Sequence, residues 1–409
     1  MPEYVAPGVY VEEDGPGPKP IEGLNTSTAG FVGPTRTGPT EGPPNLITSL
    51  SEFERIYGDG QPLRFAESVR MPNFMWQAAR AFFDNGGQQL YVARVFRPLQ
   101  GSSDGARPLA DDYAGKTGGA RGAGTGLRML EQIDEVSIVA APGATYGMEG
   151  GYENEAEQIA SALIAHAELM LYRFAVLDSG VGQSAAQVGA LRQRFNSSYA
   201  ALYYPWVQVA DPITGGKILV PPSGFVAGIY ARNDASKGVS KAPANEVVTL
   251  AVGLEQLLDE NQGTALDQEG INVLRFFTGR GYLVWGARTV SSDPQWKYVN
   301  LRRYFAYLEH SIDSGTQWAV FEPNGETLWA NVRQSIENFL LNEWKSGALL
   351  GQKPEQAYFV RCDQTTMTQN DLDNGRLVVL IGVAPVQPAE FVIFRIGQWT
   401  GDHKTQPDQ

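Results

Sequence analysis

Few residues in this chain are equipped for chemistry. Its 409 residues include three histidines, His166, His310 and His403, and one cysteine, Cys362. A lone cysteine excludes an internal disulfide and a cysteine-cluster metal site. Neither His166 nor His310 has a second ligand at i+4, so both read as ordinary helix-face histidines. Three segments bear on acyl transfer: Phe174-Ala175-Val176-Leu177-Asp178-Ser179-Gly180, Ser223-Gly224-Phe225-Val226-Ala227-Gly228 and Ser314-Gly315-Thr316-Gln317-Trp318-Ala319. The first offers the carboxylate of Asp178, the second only Phe225 and the third Gln317. A phenyl ring accepts no proton and a carboxamide does not attack, so Asp178 has no partners for acyl transfer. Gly115-Lys116-Thr117 resembles the end of a phosphate loop, but the glycine needed five residues earlier is Ala110. Gly122-Ala123-Gly124-Thr125-Gly126 has no strand before it. The expectation is no catalytic, cofactor-binding or metal-ligating set.

Composition agrees. With 32 basic and 45 acidic residues the net charge is −13, which repels phosphate and argues against nucleic acid as a partner. Hydrophobic residues make up 43% and charged residues 19%, enough to bury cores in two or three domains. No apolar run approaches the roughly 18 residues of a spanning helix. The opening Met1-Pro2-Glu3-Tyr4 does not resemble a secretory signal.

The elements that would carry these residues follow from periodicity. Residues 4–13 are rich in strand formers, and Gly15, Pro16, Gly17, Pro18 and Pro20 make a tether after them. Leaving Val5, Val9, Tyr10 and Val11 in water is unfavourable, so this segment reads as a strand seeking a sheet edge. A helix is expected over 73–84, a strand over 90–96, and an exposed glycine-rich loop over 97–126, which holds eight glycines. Strands at 135–141, 173–177 and 201–209 alternate with helices at 152–170 and 184–195, the rhythm of a mostly parallel sheet. Helices are expected at 225–231 and 250–261. After Pro294 the order changes: helix 296–312, strand 317–321, helix 327–344, then strands 357–362, 376–383 and 390–396. That pattern describes a second α/β domain with a mixed sheet. Phe391, Val392, Ile393, Phe394 and Ile396 make the last strand apolar on both faces.

Two resemblances add to this reading. The segments around Asp178, Phe225 and Gln317 resemble the motif strands of subtilisin-type proteases with two of three groups lost. Across nearly the whole chain, ordered stretches resemble the contractile tail sheath family: phage tail sheaths, R-type bacteriocin sheaths and extracellular contractile injection systems. They include Tyr4-Val5-Ala6-Pro7-Gly8-Val9-Tyr10, Phe82-Phe83-Asp84-Asn85-Gly86-Gly87, Val220-Pro221-Pro222-Ser223-Gly224, Val284-Trp285-Gly286-Ala287-Arg288-Thr289, Tyr298-Val299-Asn300-Leu301-Arg302-Arg303, Phe321-Glu322-Pro323-Asn324 and Gly382-Val383-Ala384-Pro385.

The resemblance implies a donor strand and tether (1–24), an outer subtilisin-like α/β domain (25–293) and an inner sheath domain (294–409), with both terminal strands exchanged between subunits. It implies a subunit that stacks in six-fold rings around an inner tube protein, with baseplate and terminator or cap proteins as further partners. Such a subunit assembles in the bacterial cytoplasm, needs no cofactor, inserts in no membrane, and contracts to drive the tube. Arg333, Glu337, Asn338, Asn342 and Lys345, opposite the apolar face of helix 327–344, are the expected tube-facing residues. A subtilisin-like hydrolase, active or dead, and a strand-donating adaptor are the competing readings.

Overall fold

The computed structural model describes residues 18–66, 70–98, 105–118 and 124–390. The expected donor strand at 4–13 and the strand residues 391–396 lie outside the described residues, as do Tyr4, Val5, Val9, Tyr10, Val11, Phe391, Val392, Ile393, Phe394 and Ile396.

The apolar runs Ala29–Gly33, Phe174–Asp178 and Ala200–Tyr204 are buried at every position. A strand buried on both faces needs cover on both, and here helices supply it. Six strands run parallel in the order 271–277, 200–204, 174–178, 138–140, 29–33 and 90–94. Antiparallel strands close the flanks, Gly281–Trp285 with Glu246–Val247 on one side and Leu46–Ile47 on the other. The result is a nine-stranded mixed sheet.

Helices Phe74–Asp84 and Ser223–Lys237 cover one face, with Phe82, Phe225 and Tyr230 in the core. Helices Glu153–Met170, Ala185–Arg192 and Glu260–Gln268 cover the other through Ile159, Leu163, Leu191 and Leu266. Gly228 lets the first pair approach closely, since a Cβ there would sit 2.4 Å from the Phe82 carbonyl oxygen.

A smaller body follows. The seam helix, Val299–Thr316, runs out of the sheet's core at Val299 and into a third cluster at Tyr304 and Leu308. The long helix Glu326–Lys345 packs Leu328, Val332, Ile336, Phe339 and Leu340 onto it. The small sheet pairs Tyr358–Arg361 with Leu380–Val383 antiparallel. Among the described residues it is this pair alone, so the expected mixed sheet of the second domain is not found there; the mixed sheet belongs to the large domain.

Four other expectations need correction. Residues 250–261 are not one helix: Ala251–Leu254 is a strand antiparallel to Val207–Ala210, and a helix begins at Glu260 behind the Asp259 cap. A bulge between Ala251 and Gly253 breaks the alternation, so Leu254 is buried while Val252 is exposed, and no clean period marked the strand in the sequence. The 317–321 strand is a 3-10 turn, Gln317–Ala319, followed by a fully exposed Phe321 at φ 68°. Residues 201–209 divide at Pro205 into strands of two different sheets. The glycine-rich stretch holds a helix, Ala110–Ala114, whose Tyr113 is buried. The hairpin of Ile271–Phe277 and Gly281–Trp285 had no counterpart in the sequence reading.

Candidate assembly surfaces and the buried carboxylate

Asp178 ends its strand beside the amino end of helix Ser223–Lys237. Its carboxylate accepts from the Ser223 backbone N–H (2.7 Å) and hydroxyl (2.6 Å), so it satisfies donors that the first turn leaves open. Burial pushes its pKa up to about 7, against the pull of those two bonds. Phe225, two residues on from Ser223, is wholly buried in the core. Gln317 donates to Asp313 and lines a groove at Arg173, next to the opposite end of the same strand. A five-residue strand is roughly 16 Å long, so the three positions never converge and Asp178 serves as a cap. Gly115, the phosphate-loop lookalike, likewise ends the helix Ala110–Ala114.

The two histidines are structural in different ways. His166 is buried; its Nε2 accepts from Arg173 at 2.6 Å, and burial holds its pKa down to about 3. Arg173 also donates to the carbonyls of Val136, Leu130 and Ile133. His310, on the seam helix, stacks on Tyr172 with ring centroids 4.4 Å apart.

The seam is where the motif Tyr298-Val299-Asn300-Leu301-Arg302-Arg303 acts. Arg303 forks onto Asp234 at 3.0 and 2.6 Å, with both side chains almost fully buried, and donates to the Thr26 carbonyl. The Thr26 hydroxyl completes the set on Asp234 at 2.7 Å. Arg302 lies over the Tyr199 and Trp296 rings and reaches Glu309 at 2.9 Å. Further along, Tyr304 and Tyr307 both donate to Glu343 of the long helix at 3.0 Å. One ion pair thus ties the small body, the large sheet's helix and the incoming N-terminal segment together. Spacing alone could not pair Arg303 with Asp234, 69 positions away.

Glu390 was also beyond sequence reasoning. It accepts from Arg288 at 3.1 and 3.0 Å and from Lys297 at 3.1 Å, with Asp267 2.8 Å from Arg288. The chain's last described residue is therefore held against the link between the two bodies.

Of the expected tube-facing residues, Asn338, Asn342 and Lys345 are exposed on the long helix, while Arg333 and Glu337 are half-buried and pair at 3.9 Å. The small sheet exposes Phe359 and Leu380. Among the described residues, each of its strands pairs only with the other, leaving each with one open edge.

The chain thus joins a helix-covered sheet, at which Asp178 and Gln317 stand apart, to a small sheet whose strands each keep an unpaired edge among the described residues. Residues 125–290 match the phage tail sheath protein central domain family and residues 291–398 the phage tail sheath C-terminal domain family. A prophage major tail sheath protein of Pseudomonas aeruginosa is 27% identical over 250 residues, covering 59% of this chain and 63% of that one. The anti-feeding prophage helical sheath in its contracted state superposes with a TM-score of 0.74 at 30% identity, over 97% of this chain and 99% of that one. The contracted sheath complex of the extracellular contractile injection system PVC gives 0.74 at 28%, with the same coverage. The chain belongs to the contractile tail sheath family. It spans about 60% of the length of the first two curated relatives it matches. Those relatives and structural neighbours are sheath proteins, not enzymes.

Proposed function

We propose that this chain is the structural subunit of a contractile sheath, stacking in six-fold rings around an inner tube and shortening to drive that tube through a target envelope. The observation that carries the reading is the match, over almost the full length of both chains, to a helical sheath in its contracted state. Residues 25–293 form the outer domain, with a subtilisin-like scaffold that has no catalytic task. Residues 294–409 form the inner domain.

The rings are held together by exchanged strands. Rings that slide and turn need contacts that survive rigid-body motion, and main-chain ladders on a tethered strand do so. Residues 4–13 and 391–396 are the donors, and the two open edges of the small sheet are the acceptors. Each contact joins unlike surfaces, so it propagates a helix instead of closing a dimer. The subunit assembles in the bacterial cytoplasm onto a baseplate, under a terminator or cap, and leaves with the particle.

Negative-stain microscopy of the purified chain tests this. Tubes hundreds of ångströms long are expected; a protein that stays monomeric or forms small fixed complexes at all concentrations overturns the reading in favour of an adaptor.

A further inference from the structure

Two surfaces at opposite ends of the large sheet are complementary. The strand Ile271–Phe277 pairs with Ala200–Tyr204 only as far as Val273 with Tyr204. The four residues beyond, with the returning strand, carry the hairpin roughly 13 Å past the carboxyl end of its neighbour. On one face of this projection Phe276, half exposed, sits opposite Tyr282 with rings 5.1 Å apart, and the Tyr282 hydroxyl reaches the carbonyl of the exposed Val252. Cations lie beside this apolar centre. Arg280, in the turn, donates to the Asn245 side chain and lies over the Phe277 ring on the opposite face, and Arg232, Lys237 and Lys241 share the single carboxylate of Glu246. On a chain of net charge −13, basic residues beside exposed aromatic surface are the composition of an interface centre.

At the amino ends of the middle strands, a groove of about 730 Å³ runs between the sheet and the seam helix. The stacked Tyr172 and His310 form its floor, and Leu169 and Leu171 are exposed beside it. Asp134, Glu135 and Asp313 make its rim, and none of the three is in an ion pair among the described residues. Arg173, the one Lys or Arg among the described residues lining it, is engaged by three carbonyls and His166. The groove asks for a basic, partly aromatic occupant. Residues 1–17 hold four carboxylates and no lysine or arginine, and residues 391–409 hold two of each sign. The chain's own terminal segments are therefore poor matches.

We propose that the Phe276–Tyr282 face of one subunit docks on the acidic groove of a second copy, head to tail along the strand direction. The inference rests on the self-assembling sheath reading. A subunit cannot fill its own groove, because hairpin turn and groove lie at opposite ends of the parallel strands. The contact is heterologous, so it repeats along an assembly without closing. It is a second kind of joint, made of side chains, beside the main-chain joints of the exchanged strands.

The test uses the full-length chain with Phe276 replaced by p-benzoylphenylalanine, irradiated after assembly and analysed by mass spectrometry. Inter-subunit cross-links to peptides holding residues 134–136, 169–172 or 310–317 are expected. Arg280→Glu and Glu135→Arg are each expected to raise the concentration needed for assembly by about fivefold, and the double variant to restore it. Normal tubes whose cross-links fall only elsewhere, or single reversals that assemble like wild type, overturn the proposal and leave the sheath reading standing. A wild-type chain that never assembles overturns both.

Discussion

The large and small sheets treat their edges in opposite ways. The nine-stranded sheet ends in two-residue strands, Leu46–Ile47 and Glu246–Val247, too short to template another chain. The small sheet has two four-residue strands, exposes Phe359 and Leu380, and, among the described residues, leaves an edge unpaired on each side. A two-stranded sheet is marginal alone in water. The difference teaches that one body ends its sheet within its own chain, while the other keeps the unpaired edges that the proposed strand exchange would fill. It also separates what stabilises the fold, the first body and its seam, from what makes the assembly.

The sharpest way to break this comparison is to remove a donor. Deletion of residues 1–13 is expected to leave the folded subunit intact by circular dichroism and to abolish tubes in the microscope. Tubes of normal length from the truncated chain would show that the small sheet needs no N-terminal strand. Deletion of 390–409 is a harsher variant, because Glu390 also ties the chain to Arg288 and Lys297.

The next effect is on stability and lies at the seam. Arg303→Ala leaves Asp234 buried without its partner, and breaking such a pair costs about 3–5 kcal/mol. Arg376 pairs with Asp371 at 3.6 Å with its side chain 63% exposed, so Arg376→Ala is expected to change stability by at most about 0.5 kcal/mol. Urea denaturation of both variants checks the contrast; equal midpoints would mean that the seam pair does not hold the two bodies together.

How much of this was legible in the sequence follows from the range of the forces involved. Helix 153–170 and strand 174–178 have local period and buried faces, and sequence reading placed both within a residue or two of their bounds. That Phe225 and Gln317 cannot act as base and nucleophile was readable from their side chains alone; that Asp178 and Gln317 lie at opposite ends of one strand was not. The strand Ala251–Leu254 was not readable, since its identity depends on pairing with Val207–Ala210, more than forty residues away. The hairpin of 271–285 escaped for a related reason: seven residues buried first on both faces and then half exposed show no clean alternation. The seam ion pair and the Glu390 cluster are tertiary facts with no local signature.

The pH dependence divides the large body internally. Asp178, raised to about 7 by burial, keeps its proton in the folded state at pH values where the unfolded chain has lost it. Stability from this group is therefore full below about pH 4 and falls as pH rises to about 7, by up to about 4 kcal/mol. His166, lowered to about 3, has the opposite sign. Its contribution is full above about pH 6.5 and is lost as the pH falls, by about 2 kcal/mol at pH 5. Asp178→Asn should steepen the acid loss of stability by removing the opposing slope. His166→Gln, which keeps an acceptor for Arg173, should reveal the decline toward neutral pH. Melting temperatures from pH 4.5 to 8 decide this; parallel curves for all three proteins would refute both assignments.

The smallest expected effect concerns the face the long helix turns away from its core. Asn338, Asn342 and Lys345 are exposed there, with the Arg333–Glu337 pair beside them. If the inner domain meets the tube through this face, the contact must be released when the sheath shortens, so a polar surface suits it better than an apolar one. Each exposed charge pair contributes only about 0.2–1 kcal/mol, but repetition through stacked rings multiplies that into a barrier that holds an extended sheath in a kinetically trapped state. The double variant Arg333→Glu with Lys345→Glu should lower the fraction of sheaths assembled in the extended form around the tube. The first of these changes also sets a new carboxylate against Glu337 one turn on, which costs the helix only about 0.2–0.5 kcal/mol. Helicity measured by circular dichroism should therefore stay unchanged while the extended fraction falls. Extended assembly at wild-type frequency would place the tube contact on another surface, and the polar face of this helix would then be solvated surface.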